Sequence, residues 1–168
     1  MNRLLRILKH RWVDEDDVRR ALPPEALQRV GARVTASEHG HSGEIRVCVE
    51  PGLPLSYLWR GATARDRAVT LFGKLRVWDT EHNNGVLIYL LFAEHRIEIV
   101  ADRGLNRHVP PGQWQALLAG MADAFQAGRF EEGLLAAVDA VDALLDRHFP
   151  IVEGTERRNE LPDAPVVG

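Results

Sequence analysis

Cysteine is almost missing from this chain. Cys48 stands alone, which excludes an internal disulfide framework and any zinc site built on several thiolates. Long apolar runs are missing too. No stretch approaches the roughly 18 unbroken apolar residues of a membrane-spanning helix. The basic N-terminus "MNRLLRILKHRWVDEDD" is interrupted by charge throughout, unlike the apolar centre of a signal peptide. These absences lead to the expectation of a soluble, cytoplasmic protein. Nor is there a surplus of basic charge: 21 Lys and Arg face 24 Asp and Glu, a net −3, which argues against a nucleic-acid partner. What the chain does have is apolar mass. Such residues make up 45% of its 168 positions, enough for one domain with a real core and too many for global disorder.

Residues 2–12 place Leu4, Leu5, Ile7, Leu8 and Trp12 among Arg3, Arg6, Lys9 and Arg11, the spacing of a short basic amphipathic helix. Two uses compete for its apolar stripe. Packing on the domain is the preferred one, because Asp14 to Asp17 follow at once and would be repelled by anionic lipid. Contact with a membrane surface or a partner is the other.

Pro23 and Pro24 suit the first turn of a helix, and Leu27, Val30 and Val34 carry it towards Glu38. "EIRVCVE" sets Ile45, Val47 and Val49 against Glu44, Arg46 and Cys48, which predicts a half-buried strand. "PGLPLSYLWRG" reads as an unusually apolar loop. Thr63 and Asp66 form a capping box for a helix that ends near Arg76. Gly85 to Phe92 are apolar without alternation, the pattern of a strand covered on both faces. "AEHR" is so short that Ile97 to Ala101 must return as an antiparallel hairpin. Two helices follow, the first closing near Gly128 and the second, opened by Phe130, near Phe149.

This order predicts an α/β fold: a three-layer α/β/α sandwich with a mixed sheet, a parallel right-handed crossover followed by the hairpin, and two C-terminal helices. Residues 1–22 read as an N-terminal helical segment, 23–149 as the domain, and 150–168 as a flexible tail.

The hairpin should return its second strand to the edge where "WDTEHNNG" leads into the first. Asp79, Glu81, Asn83 and Asn84 are then expected beside Asp102, Arg103 and Asn106, with His39, His41 and Glu44 close by. Oxygen donors of this kind suit Ca²⁺ or Mg²⁺ rather than zinc. The candidate metal ligands are therefore Asp79, Glu81, Asn84 and Asp102, and Arg103 is the candidate anion contact. The spacing is not that of an EF-hand. A purely structural use of the same turn takes precedence, in which Asn83 and Asn84 tolerate left-handed backbone angles and Gly85 lets the chain enter the strand. No serine has a G-x-S-x-G context and no phosphate-binding loop is present, so no organic cofactor, nucleophile or general base is assigned. Cys48, on a strand, reads as inert.

The segments "GEIRVCVE", "RAVTLFGKLRVWDTEHNNGVLIYLLFAEHRIEIVADRGL" and "AFQAGRFEEGLLAAVDAVDALL" together resemble the TPM domain family. That family includes thylakoid-lumen acid-phosphatase-like proteins, photosystem II repair factors and bacterial envelope proteins. The resemblance spans about Ala26 to Phe149 and implies an α/β/α sandwich, divalent-cation binding at loops near the sheet edge, and weak phosphatase activity. Relatives commonly carry Asp-Asn-Gly where this chain has Asn83-Asn84-Gly85, and a glutamate where it has Asn106. The expectation is accordingly an accessory or interaction protein of bacterial envelope or stress maintenance. Its partner would be a protein such as a membrane-anchored relative, met through Trp12, Tyr57, Leu58 and Trp59. The alternative is a Ca²⁺- or Mg²⁺-dependent weak acid phosphatase. Asp79, Glu81 and Asp102 would hold the ion and Arg103 would steady the ester. Whether the chain is an enzyme stays open at this point.

Overall fold

The structure, a computed structural model, describes residues 3–152 and 159–168. Two strands buried along their whole length set the architecture: β1 (Glu44–Glu50) and β2 (Gly85–Leu91). They pair in parallel from Glu44 opposite Gly85 to Glu50 opposite Leu91. After a 3₁₀ turn at Phe92–Glu94, β3 (Arg96–Ala101) returns antiparallel on β2, with His95 taking up the reversal at φ 50°. The hairpin and the parallel pair are therefore as the apolar patterning predicts.

Helices cover both faces. Ile45, Val47 and Val49 of β1 and Val86, Ile88 and Leu90 of β2 form one core. Its cover comes from four helices: α2 (Glu15–Ala21), α3 (Pro24–Ser37), α7 (Pro111–Gln126) and α8 (Phe130–His148). The second core holds Cys48, Leu87, Tyr89, Leu91 and Val100 under α4 (Leu55–Trp59) and α5 (Ala64–Lys74). The molecule is thus an α/β/α sandwich on a mixed sheet. The Thr63–Asp66 capping box is present, with Asp66 N–H donating to the Thr63 hydroxyl and Thr63 N–H to the Asp66 carboxylate. Gly128, at φ 75°, closes α7 as expected of a C-terminal glycine.

Several expectations are corrected. β1 is not half-buried, because Glu44, Arg46 and Glu50 are buried along with Cys48. Alternation signalled a solvent face, but each of these polar groups has an internal partner that sequence spacing does not reveal. Val18 and Leu22 lie in the main core, so the end of the N-terminal segment packs with the domain. α4 is a helix where an apolar loop is expected, and the N-terminal helical segment is two helices rather than one. α2 is fixed by an Asp14–Asp17 capping box.

Of the C-terminal tail, residues 159–168 are seated on the domain, while residues 153–158 lie outside the described residues. β4 (Val166–Val167) joins the far side of β1 in parallel, giving the order β3-β2-β1-β4. The Glu44 carboxylate accepts from the N–H groups of Glu160 and Leu161, at 3.2 and 3.3 Å. Arg46 donates to the Pro162 and Ala164 carbonyls, and Leu161 is buried. The segment has no periodicity of its own because it is held by these charged side chains of β1, not by an apolar stripe.

Candidate functional site

The sheet rim formed by the start of β2 and the end of β3 does bring two polar turns together. Asn83 takes φ 51°, as its turn-forming chemistry suggests. Its carbonyl accepts from Gly104 N–H at 2.8 Å, and the Gly85 carbonyl accepts from Asp102 N–H at 2.9 Å. Asp102 caps the short α6 (Arg103–Asn106), its Oδ1 accepting from Arg103 N–H at 2.7 Å. The Arg103 guanidinium lies 3.4 Å from Asn83 Oδ1. Asn84 is fully buried, with its N–H on Thr80 Oγ1 and its side-chain amide donating to Ser42 Oγ at 3.2 Å. Two oxygens of this rim, Asn84 Oδ1 and Asp102 Oδ2, are buried with no hydrogen-bond donor among the described residues.

The four expected metal ligands therefore separate into two pairs. Asn84 and Asp102 present orphaned acceptors, the donor type that hard divalent cations select. Asp79 is exposed and ion-paired with Arg76, while exposed Glu81 donates its backbone N–H to Glu160. Among the described residues no group of three or more His, Cys, Asp or Glu is placed to hold one metal ion. Asn106 is engaged elsewhere, donating to the Ala101 carbonyl and accepting from Trp114 Nε1. His39 and His41 do not converge. His39 bonds carbonyls of α3, whereas the buried His41 has Nε2 at 3.3 Å from Asp142 Oδ1, and Asp142 is held in turn by Arg33. Spacing gave no hint of that pairing across 101 residues.

Two further polar clusters went unseen in the sequence. At the carboxyl end of β1, Glu50 receives a forked Arg67 guanidinium and the Tyr89 hydroxyl, the latter at 2.8 Å. Hydrogen bonding to Glu50 holds the Arg67 guanidinium even more firmly protonated than usual, while burial, with Glu50 alongside, raises the Tyr89 phenol. Burial likewise pushes the neighbouring Cys48 thiol up to about 12, so it is no nucleophile at neutral pH. The second cluster fastens α1 (Arg3–Trp12), whose His10 is buried. Leu53 N–H donates to His10 Nδ1 at 3.0 Å, which leaves Nε2–H to donate to Glu94 Oε1 at 2.9 Å. Arg6 adds a 2.8 Å ion pair to the same oxygen. His10, then Arg6, hold the Glu94 carboxyl at about 2, below its ordinary 4.5.

Comparison with known proteins places this geometry. The TPM domain model matches residues 16–144. The chain belongs to the TPM domain family. Its fold is similar to the NMR structure of the BA42 protein from the psychrophilic bacterium Bizionia argentinensis. The TM-score is 0.74 at 27% identity, covering 88% of this chain and 95% of that one. It is also similar to the N-terminal domain of a protein from P. gingivalis, with a TM-score of 0.60 at 25% identity, covering 76% and 79% of the two chains. No curated protein matches.

α1 lies outside the stretch matched to the TPM domain, and it is mounted against expectation. Its apolar stripe does not pack on the domain. The docked side is Arg6, Ile7 and His10, while Leu5, Leu8 and Trp12 are 59%, 52% and 83% exposed. α1 packs beside α4, whose Leu55 and Trp59 are also exposed, and the Arg3 guanidinium lies 5.6 Å from the Trp59 ring. Of the four expected contact residues, Trp12 and Trp59 reach this surface, whereas Tyr57 and Leu58 are buried in the second core of the TPM domain. Among the described residues no helix is long and apolar enough to cross a membrane.

Proposed function

We propose that this TPM domain is an interaction module, an accessory of envelope maintenance on the cytoplasmic side, whose contact surface is the outward face of α1 and α4. One observation carries the reading: α1 is locked to the domain by its polar edge, through the Glu94–His10–Leu53 chain, so that Leu5, Leu8 and Trp12 face solvent beside Trp59. Exposing a large apolar patch at the cost of burying a histidine and half-burying two ion-paired groups is understandable for a contact surface. A photo-crosslinking amino acid placed at position 12 or 59 in cells is expected to give adducts. One placed at exposed position 132 on α8 is the control and is expected to give none. Absence of both protein and lipid adducts at 12 and 59, or the same adducts at 132, would remove the reading.

A second reading rests on the orphaned oxygens of Asn84 and Asp102, which support weak divalent-cation binding at the rim. One carboxylate and one amide oxygen carry little charge, so affinity should be in the millimolar range. An ion there would polarise a phosphoryl oxygen, with Arg103 near enough to contact an anion, which is how a weak phosphatase activity would draw on this site. Asp79 and Glu81 are outside this revised set. Titration with Ca²⁺ is expected to shift the amide signals of residues 83–86 and 102–104, and Asp102→Asn to weaken binding about tenfold or more. Unmoved rim signals in millimolar Ca²⁺ would sink the cation reading.

A further inference from the structure

We propose that α1 seats the domain on the surface of an anionic lipid bilayer, with Leu5, Leu8 and Trp12 entering the interface. This inference rests on the contact-surface reading and names the partner. Charge favours such a surface. α1 has no acidic residue, and while Arg6 is spent on Glu94 at the docked side, Arg3, Lys9 and Arg11 are exposed, in a chain whose net charge is −3. At about 100° per residue the exposed apolar arc from Leu4 to Leu5, passing through Leu8 and Trp12, is bordered by Arg11 on one side and Lys9 on the other. Apolar residues at the centre, cations at both margins and a tryptophan standing proud make up the composition of a helix that lies in a membrane interface.

The acids that follow α1 are partly offset. On α2, Glu15 and Asp16 are both paired with Arg19, and Asp17 with Arg20. Asp14 and Asp17 are also consumed in capping the helix. Two arginines thus offset two of the four carboxylates, and the net −2 that is left is outweighed beside it by Arg3, Lys9 and Arg11 of α1. The mounting of α1 favours docking too. The docked side of α1 is fixed by side chains that point away from the apolar arc, with the helix backbone resting on Gly52. A Cβ at Gly52 would meet the His10 carbonyl at 2.9 Å. The arc thus belongs to a helix already formed and oriented, so binding need not first order the chain.

Co-sedimentation of the full chain with vesicles tests this. Vesicles of phosphatidylcholine mixed with phosphatidylglycerol should bind it and blue-shift its tryptophan emission, whereas phosphatidylcholine alone should bind far less. Lys9→Ser with Arg11→Ser should weaken binding about thirtyfold, at a factor of about five for each cation near the surface. Leu5→Glu with Leu8→Glu should abolish it, and both positions are exposed, so an unchanged far-ultraviolet spectrum is expected to accompany the loss. Failure of the native chain to sediment with anionic vesicles would overturn the proposal, as would binding indifferent to Leu5→Glu with Leu8→Glu. A protein adduct from position 12 without vesicle binding would defeat the lipid assignment and leave the contact surface standing. Neither adduct nor vesicle binding would defeat both. Concentration-dependent dimerisation abolished by the same two glutamates, without vesicle binding, would assign the surface to a second copy instead.

Discussion

Arg67→Met is expected to destabilise the domain by about 3–5 kcal/mol, the cost of leaving one half of a buried ion pair behind. Glu50 is almost fully enclosed by β2, α5 and the loop after β1, and Arg67 reaches it from α5 with a forked pair of N–H groups. Without them the carboxylate retains only the Tyr89 hydroxyl. That single donor cannot repay the desolvation of a full charge. The loss should show as a lower urea midpoint with an unchanged slope. Adding Glu50→Gln to Arg67→Met should recover much of the stability, because a neutral amide still accepts from Tyr89 and no longer carries a buried charge. If the single change cost less than about 1 kcal/mol, or the second change made matters worse, Glu50 would not be the uncompensated group. Arg67 also stacks against Tyr57, at 5.1 Å from its ring, so part of the loss is packing that no change at position 50 restores.

Glu50 also shows where sequence reading stops. The unbroken apolar run of β2 announces a strand covered on both faces, and the four-residue "AEHR" admits nothing but a hairpin. Those features depend on neighbours in the chain, and they fix the sheet's centre and the meeting of the two rim turns. β1 obeys the same burial, yet its polar residues are satisfied by groups far away in sequence: Glu44 by residues 160 and 161, Arg46 by 162 and 164, Glu50 by 67 and 89. Periodicity cannot distinguish a charge facing water from one facing an arginine across a core. The same limit applies to α1. Its amphipathic wheel is plain from residues 3–12, but which face docks was decided by His10 and Glu94, 84 positions apart. For the rim, the sequence places Asn84 and Asp102 together through strand register, whereas Asp79 is drawn off by its neighbour Arg76.

Gly85→Ala is the second change with a large expected effect, about 3 kcal/mol of destabilisation, at the upper end for overpacking. The backbone at Gly85 is ordinary strand, so no left-handed angle is at stake. What matters is proximity: a Cβ at this position would sit 2.0 Å from the Val77 carbonyl and 3.1 Å from Val77 Cγ1. Val77 cannot retreat, because it is fully buried in the second core and its N–H is bound to the Phe72 carbonyl. The strand would have to lift instead. That movement strains its pairing with Glu44 and the bond from Asp102 N–H to the Gly85 carbonyl, two of the connections that hold the rim together. Gly120→Ala supplies the contrast. It lies within α7, with nothing inside 4 Å of the place an added methyl group would take, and the change should stabilise the protein by about 0.5–1 kcal/mol. Thermal or urea unfolding of the two variants should therefore move in opposite directions. A Gly85→Ala protein as stable as the parent would mean that β2 does not start against Val77, and the rim geometry on which the cation reading depends would go with it.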